Sequence, residues 1–233
     1  MTPAFAPHPP VLASIADNLS HGFPVRRLFC IGRNYADHAR EMGKDPTREP
    51  PFFFTKWAEA VVPSGSTISY PPETRSYHHE IELVIAIGGD GFRIPAAEAP
   101  RLVWGYAVGL DMTRRDLQQT AKDLARPWDV AKNVEQSAPL GPITPAGRID
   151  DITRSTISLE VNGATKQRGQ ISDMIWSVPE IIAEVSRFYR LGAGDLIFTG
   201  TPAGVGPVVR GDRLVGRIGG LEPLEINIGA SMP

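Results

Sequence analysis

Glu80 and Glu82 stand two residues apart at the head of an apolar run, Ile81 to Ile87, that stops at Gly88-Gly89. In a strand, alternate side chains share a face. Ile81, Leu83, Ile85 and Ile87 then fall on one face, and Glu80, Glu82, Val84 and Ala86 on the other. The second face turns apolar directly after its two acids, so it is not a plain solvent side. Like charges brought together away from water raise each other's pKa unless a cation lies between them. Hard divalent cations such as Mg2+ take oxygen ligands of this kind. An exposed acidic strand end fits the same residues, so the rest of the chain must decide.

Other residues suit the same chemistry, each with a plainer alternative. Asp111 ends the apolar run Trp104 to Leu110. There it suits a third oxygen ligand, and equally the N-cap of a helix predicted over 112–125. On that helix Arg115 and Gln118 are three apart and share a face. They suit holding a carboxylate by charge-assisted hydrogen bonds, or simply a solvated face. His38 and Glu41 are also three apart, on a short helix predicted between an Asn34 cap and a Gly43 stop. A carboxylate beside an imidazole fixes its tautomer and raises its pKa, as a general base requires; an ordinary surface pair has the same spacing. So short a helix is marginal without tertiary support, which suits a mobile lid as well as a surface turn. Lys132, taken alone, reads as a surface charge. The loop Thr199 to Pro207 offers hydroxyls and free N–H groups that suit an oxyanion or carboxylate, or it is a tight connection between strands. No Gly-Lys-Ser/Thr follows, so it is not a phosphate loop.

The elements that must position these groups are short. Gly (23) and Pro (22) are frequent among 233 residues, which favours strands and turns over a helical bundle. Strands are predicted at 25–31, 60–63 and 67–70, and a hairpin at 157–168 around Asn162-Gly163, a type I′ turn. Ser177 to Glu180 forms a capping box opening a helix with Ile181, Ile182, Val185, Phe188 and Tyr189 on one apolar face, a packing helix. Residues 1–24 read as an irregular Pro-rich arm, and 25–233 as a single domain.

At 42% apolar residues the chain can bury a sizeable core, and its net charge of −2, with signs scattered, gives no nucleic-acid or membrane surface. Cys30 is the single cysteine, which excludes an intrachain disulfide and a cysteine zinc cluster. The start has no basic segment followed by an apolar run, so neither a signal peptide nor a membrane span is expected. A cytoplasmic protein is the expectation.

Four segments follow one another in a recognisable order: Gly32-Arg33-Asn34-Tyr35-Ala36-Asp37-His38, His79-Glu80-Ile81-Glu82-Leu83, Leu110-Asp111-Met112-Thr113-Arg114-Arg115-Asp116, and Thr199-Gly200-Thr201-Pro202-Ala203-Gly204-Val205-Gly206. Over roughly residues 25 to 228 the chain resembles the fumarylacetoacetate hydrolase family. Phe52-Phe53-Phe54-Thr55-Lys56, Tyr70-Pro71-Pro72 and Tyr77-His78-His79-Glu80 resemble the members that cleave fumarylpyruvate. The resemblance implies an α+β, β-rich roll of several mixed sheets with a few short helices, often assembled as a homodimer. It implies Glu80, Glu82 and Asp111 as ligands of Mg2+ or Mn2+, and His38 with Glu41 as a water-activating dyad on a closing segment. It implies Lys132 as an active-site lysine, and Arg115, Gln118 and Thr201 as substrate-holding residues.

The implied reaction is metal-dependent hydrolysis of a carbon–carbon bond in an acylpyruvate. Fumarylpyruvate, split to fumarate and pyruvate in gentisate-type aromatic catabolism, is the substrate favoured. The family also contains oxaloacetate decarboxylases and dioxo-acid isomerases, the alternative among enzymes. A non-catalytic metal-binding protein is the alternative of another class. Trp57 and Asn133-Val134 depart from the family pattern, and both are expected near the pocket.

Overall fold

The structure is a computed structural model that describes residues 3–36 and 49–231, and of Leu19 the backbone alone. Its centre is the strand Ile81–Ile87, buried along its whole length. The two faces expected from alternation meet two different cores. Ile81, Leu83, Ile85 and Ile87 pack with Ile157, Leu159, Leu214 and Ile226. Val84 and Ala86 pack with Leu28, Cys30, Leu196 and Phe198. Each fully buried Ile or Leu is worth about 1.5–3 kcal/mol, so this strand alone anchors both layers.

The largest sheet has eight strands. Its path runs Phe53–Lys56, Arg27–Ile31, Asp195–Phe198, Ile81–Ile87, Val103–Leu110, Ala138–Leu140, Val61–Pro63, with Thr144–Pro145 off the path on Val103–Leu110. A five-stranded sheet runs Ala164–Gln170, Thr156–Val161, Arg213–Ile218, Leu224–Ser231, Thr67–Tyr70. Most pairs are antiparallel, but Asp195–Phe198 pairs Arg27–Ile31 in parallel, Ala138–Leu140 pairs Val61–Pro63 in parallel, and Leu224–Ser231 likewise pairs Thr67–Tyr70. The sheets are therefore mixed, as expected, and the helices described are few and short. Among the described residues no helix is long and apolar enough to cross a membrane.

The hairpin turns at Asn162 and Gly163, both at positive φ (53° and 79°), as a type I′ turn requires. The Ser177–Glu180 capping box forms and opens the helix Val178–Phe188, whose Ile181, Ile182 and Val185 are buried, whereas Phe188 is exposed and Tyr189 lies past the helix end, so the packing face is shorter than expected.

Two local expectations need correction. Residues 1–24 are not irregular throughout, because Leu12–Ile15 and Asn18–Pro24 pair antiparallel and dock through Ala16 N–H to Ile143 O. The helix predicted over 112–125 is Arg115–Asp123. It cannot start earlier because Thr113 and Arg114 are extended and pair with His78 and Tyr77. The helix expected between Asn34 and Gly43 falls mostly outside the described residues. The Asn34 amide donates to Trp176 O and Thr199 O and accepts from Trp176 N–H, tying three segments together.

Candidate metal centre and active site

Glu80 lies in the break between the strands Tyr77–His79 and Ile81–Ile87. Ile81 pairs with Leu110 on the neighbouring antiparallel strand, and Asp111 N–H donates to Glu80 O at 2.9 Å. That register brings Asp111 beside the two glutamates. One carboxylate oxygen from each of Glu80, Glu82 and Asp111 lies within 4.8 Å of the others, and all three residues are buried. Asp111 does not cap the helix; the N-cap position belongs to Arg114.

Three acids in such a space require positive charge. Lys132, 2% exposed on the short helix Asp129–Lys132, donates to Glu80 Oε2 and Asp111 Oδ2, each at 2.7 Å. Arg115 pairs with Glu80 Oε1 and donates to Gln118 Oε1 at 2.6 Å. Gly200 N–H donates to Glu82 Oε2 at 2.7 Å. A Cβ at Gly200, where φ is +96°, would meet Asn34 Cβ at 2.7 Å, so glycine lets this N–H approach.

These charges are not balanced at Glu82. Burial pushes its carboxyl well above the usual range, Asp111 and Glu80 push it further, and Gly200 and Lys132 only partly oppose them. Burial lowers the Lys132 pKa, but Asp111 and Glu80 outweigh it, and the ammonium is held more tightly than usual. Lys56, absent from the residues expected here, is a second buried cation. Its amino group donates to Met112 O, Ser137 O and Ser137 Oγ, at 3.1, 2.9 and 2.8 Å. Those bonds use all three ammonium protons. Lys56 Nζ lies 2.9 Å from Asp111 Oδ1 as an ion pair, while that oxygen keeps no hydrogen-bond donor among the described residues. A buried carboxylate oxygen without a donor, beside a glutamate of raised pKa, is a donor set fitted to a hard divalent cation.

The acids floor a cavity of about 550 Å³. Arg115, Gln118, Lys132 and Thr201 line it with them, so the described site residues expected from the sequence surround one space. Phe52, Phe54 and Trp128 form an aromatic wall, with ring centroids 5.6 and 5.9 Å from Trp128. Arg33, Lys122 and Arg126 also line it. Burial, then Arg115 and Arg33, lowers the Lys122 pKa, so an anion is welcome there. His38 and Glu41 lie outside the described residues.

The departures at Trp57 and Asn133-Val134 do not line this cavity. Trp57 is 57% exposed, and its N–H donates to Asn133 Oδ1 at 2.8 Å, so the two departures hold each other. Each follows a buried lysine in sequence, which is why they were expected nearer the pocket.

Residues 27–228 match the fumarylacetoacetate (FAA) hydrolase C-terminal family. The chain belongs to the fumarylacetoacetate hydrolase family. Within that family it is 48% identical over 185 residues to a fumarylpyruvate hydrolase from Ralstonia sp, covering 79% of this chain and 96% of the relative. It is 42% identical over 203 residues to the human mitochondrial oxaloacetate tautomerase, covering 87% of this chain and 91% of the relative. A crystal structure of a Pseudomonas aeruginosa fumarylpyruvate hydrolase, in complex with Mn2+ and pyruvate, superposes with a TM-score of 0.96 at 51% identity. That match covers 99% of this chain and 100% of the other. The fumarylacetoacetate hydrolase fold expected from the sequence is the fold observed.

Proposed function

We propose that this protein is a metal-dependent hydrolase that cleaves a carbon–carbon bond in an acylpyruvate, with fumarylpyruvate as substrate and fumarate and pyruvate as products. The observation that carries the reading is the acidic triad. Glu80, Glu82 and Asp111 converge in a cavity also lined by Lys132, Arg115 and Thr201. The chain shares 51% identity with a fumarylpyruvate hydrolase solved with Mn2+ and pyruvate.

Glu80, Glu82 and Asp111 are the residues that would hold Mg2+ or Mn2+. A bound divalent ion supplies Lewis-acid stabilisation of negative charge developing on a 2-keto oxygen. The chain's own groups do the rest. His38, oriented by Glu41, takes a proton from water, and the oxygen attacks the 4-keto carbon. Lys132 stabilises the resulting oxyanion with the ammonium proton not given to Glu80 or Asp111. The bond between C3 and C4 breaks, its electron pair leaves on C3, and the proton taken by His38 returns there to give pyruvate. Arg115 holds Glu80 in place and, with Gln118 and Thr201, faces the carboxylate end of the substrate. Arg33, Lys122 and Arg126 suit the second carboxylate that fumarylpyruvate carries at its far end.

A homodimer in the cytoplasm is the setting that the family resemblance and the single buried thiol, Cys30, favour. Likeness to the oxaloacetate tautomerase supports a second reading, in which the same base moves a proton between carbon and oxygen and no carbon–carbon bond is cleaved. Incubation of purified protein with Mg2+ or Mn2+ and each substrate separates the two. Release of pyruvate and fumarate from fumarylpyruvate is expected. Turnover of oxaloacetate alone would overturn the hydrolase reading.

A further inference from the structure

In the exposed strand Ala164–Gln170 one residue is fully buried, and it is a glutamine. Gln167 is 1% exposed, and its whole amide is used. Its Oε1 accepts from Ile81 N–H at 3.0 Å and lies 2.9 Å from His79 Nδ1. Its Nε2 donates to Pro202 O at 2.8 Å and to Thr201 Oγ1 at 2.8 Å. The orientation of this amide is decided by chemistry. Ile81 N–H can only donate and Pro202 O can only accept, so the oxygen must face the first and the nitrogen the second. His79 must then carry its proton on Nδ1.

A consequence follows at Thr201. A hydroxyl has one proton to donate and two lone pairs. Gln167 occupies one lone pair of Thr201 Oγ1, and the proton is committed to no group among the described residues. Thr201 lines the cavity over the acidic triad. We infer that Gln167 is a positioning residue that fixes Thr201 as a hydrogen-bond donor aimed into the cavity, so that Thr201 selects a ligand presenting an anionic oxygen. The glycine-rich loop is built to hold this contact. A Cβ at Gly204 would lie 2.0 Å from Lys166 O, and one at Gly169 would lie 3.0 Å from Pro202 Cβ, so the loop and the strand touch on both sides of Gln167.

The inference rests on the acylpyruvate reading only in its choice of probe. Pyruvate binding is measured by calorimetry on full-length protein saturated with Mn2+, after Mn2+ affinity itself has been measured for each variant. The variants are Gln167→Glu, Thr201→Val, Thr201→Ser and the double Gln167→Glu/Thr201→Val, held at a pH where the introduced carboxylate is ionised. That carboxylate still accepts from Ile81 and His79 but cannot donate, so Thr201 must turn its proton away from the cavity. Gln167→Glu and Thr201→Val are each expected to weaken pyruvate about 10-fold to 100-fold, the range for a lost hydrogen bond to a charged group. The double variant is expected to lose no more than either single, and Thr201→Ser, which keeps the hydroxyl, to restore most of what Thr201→Val loses. Should Gln167→Glu not fold, Gln167→Met takes its place; it removes the donor to Thr201 without offering a strong acceptor, so the hydroxyl is freed to rotate and a smaller loss, about threefold to tenfold, is expected. Pyruvate binding unchanged in the Gln167 variant, or losses that add in the double, would overturn the inference while leaving the acylpyruvate reading standing. A parent protein that takes up Mn2+ but no pyruvate would overturn both.

Discussion

Lys56 Nζ lies 2.9 Å from Asp111 Oδ1, and neither side chain is more than 2% exposed. The lysine gives its protons to Met112 O and to Ser137, so it holds the loop below Asp111 while neutralising it. Removing one partner of a buried pair costs about 3–5 kcal/mol, because the other charge stays buried alone. Asp111 keeps Lys132 on Oδ2, so Lys56→Met is expected to lower the unfolding free energy of the chelator-treated protein by less, about 1–3 kcal/mol. Added Mn2+ should recover part of it, since a divalent cation can take over the charge. A denaturant titration checks this, and a loss below about 1 kcal/mol would show that the pair is incidental.

Glu82 gives a pH dependence whose sign can be fixed. Its carboxyl in the folded protein is raised by burial, Asp111 and Glu80, against about 4.3 in an unfolded chain. The metal-free folded state therefore holds a proton that the unfolded state has lost. Stability from this group is full below about 4.3 and is lost as pH rises through the folded value. Melting curves in chelator are expected to fall with rising pH more steeply for the parent than for Glu82→Gln, and Mn2+ should abolish the difference. Parallel curves for the two proteins would remove Glu82 as the proton site.

His38→Ala is expected to keep Mn2+ affinity and to lose hydrolysis by about 10²–10⁴, the usual worth of a general base. Metal affinity and turnover measured on one preparation decide the matter. A comparable loss of metal would place His38 in the ligand set instead.

Lys122 carries a prediction about specificity. Its ammonium lies 5.3 Å from the Trp128 ring in the wall of the cavity. Lys122→Ala should raise KM for fumarylpyruvate about fivefold, the equivalent of ~1 kcal/mol for a half-exposed charge contact. KM for acetylpyruvate, which lacks the far carboxylate, should stay the same. Equal changes for both substrates would remove Lys122 from recognition of that end.

What the sequence showed and what it hid divide along a physical line. Alternation in Ile81–Ile87, the Asn162-Gly163 turn and the Ser177–Glu180 box are local patterns, and each element formed where its pattern lay. The acidic trio was visible because Glu80, Glu82 and Asp111 end or begin apolar strands. Lys56 and Lys132 were not legible as buried cations, because a lysine's usual place is the surface. Only the meeting of Phe53–Lys56 with the helix Asp129–Lys132 around Asp111 makes them otherwise. Gln167 was hidden for a similar reason. It stands in a polar hairpin strand, and its partners Ile81 and Thr201 are distant in the chain. The early hairpin was missed because Asn18–Pro24, with its Gly and Pro, has little strand propensity of its own and relies on pairing with Leu12–Ile15.

The strand Ile81–Ile87, covered on both sides, also polices how the chain assembles. A slip of one residue against Val103–Leu110 would turn Glu82 into the aliphatic layer around Leu159 and Ile226, and leave Ile81 facing Lys132. A shifted register would thus bury a carboxyl group without partners, so the acids that serve chemistry in the finished enzyme also weigh against the wrong strand alignment.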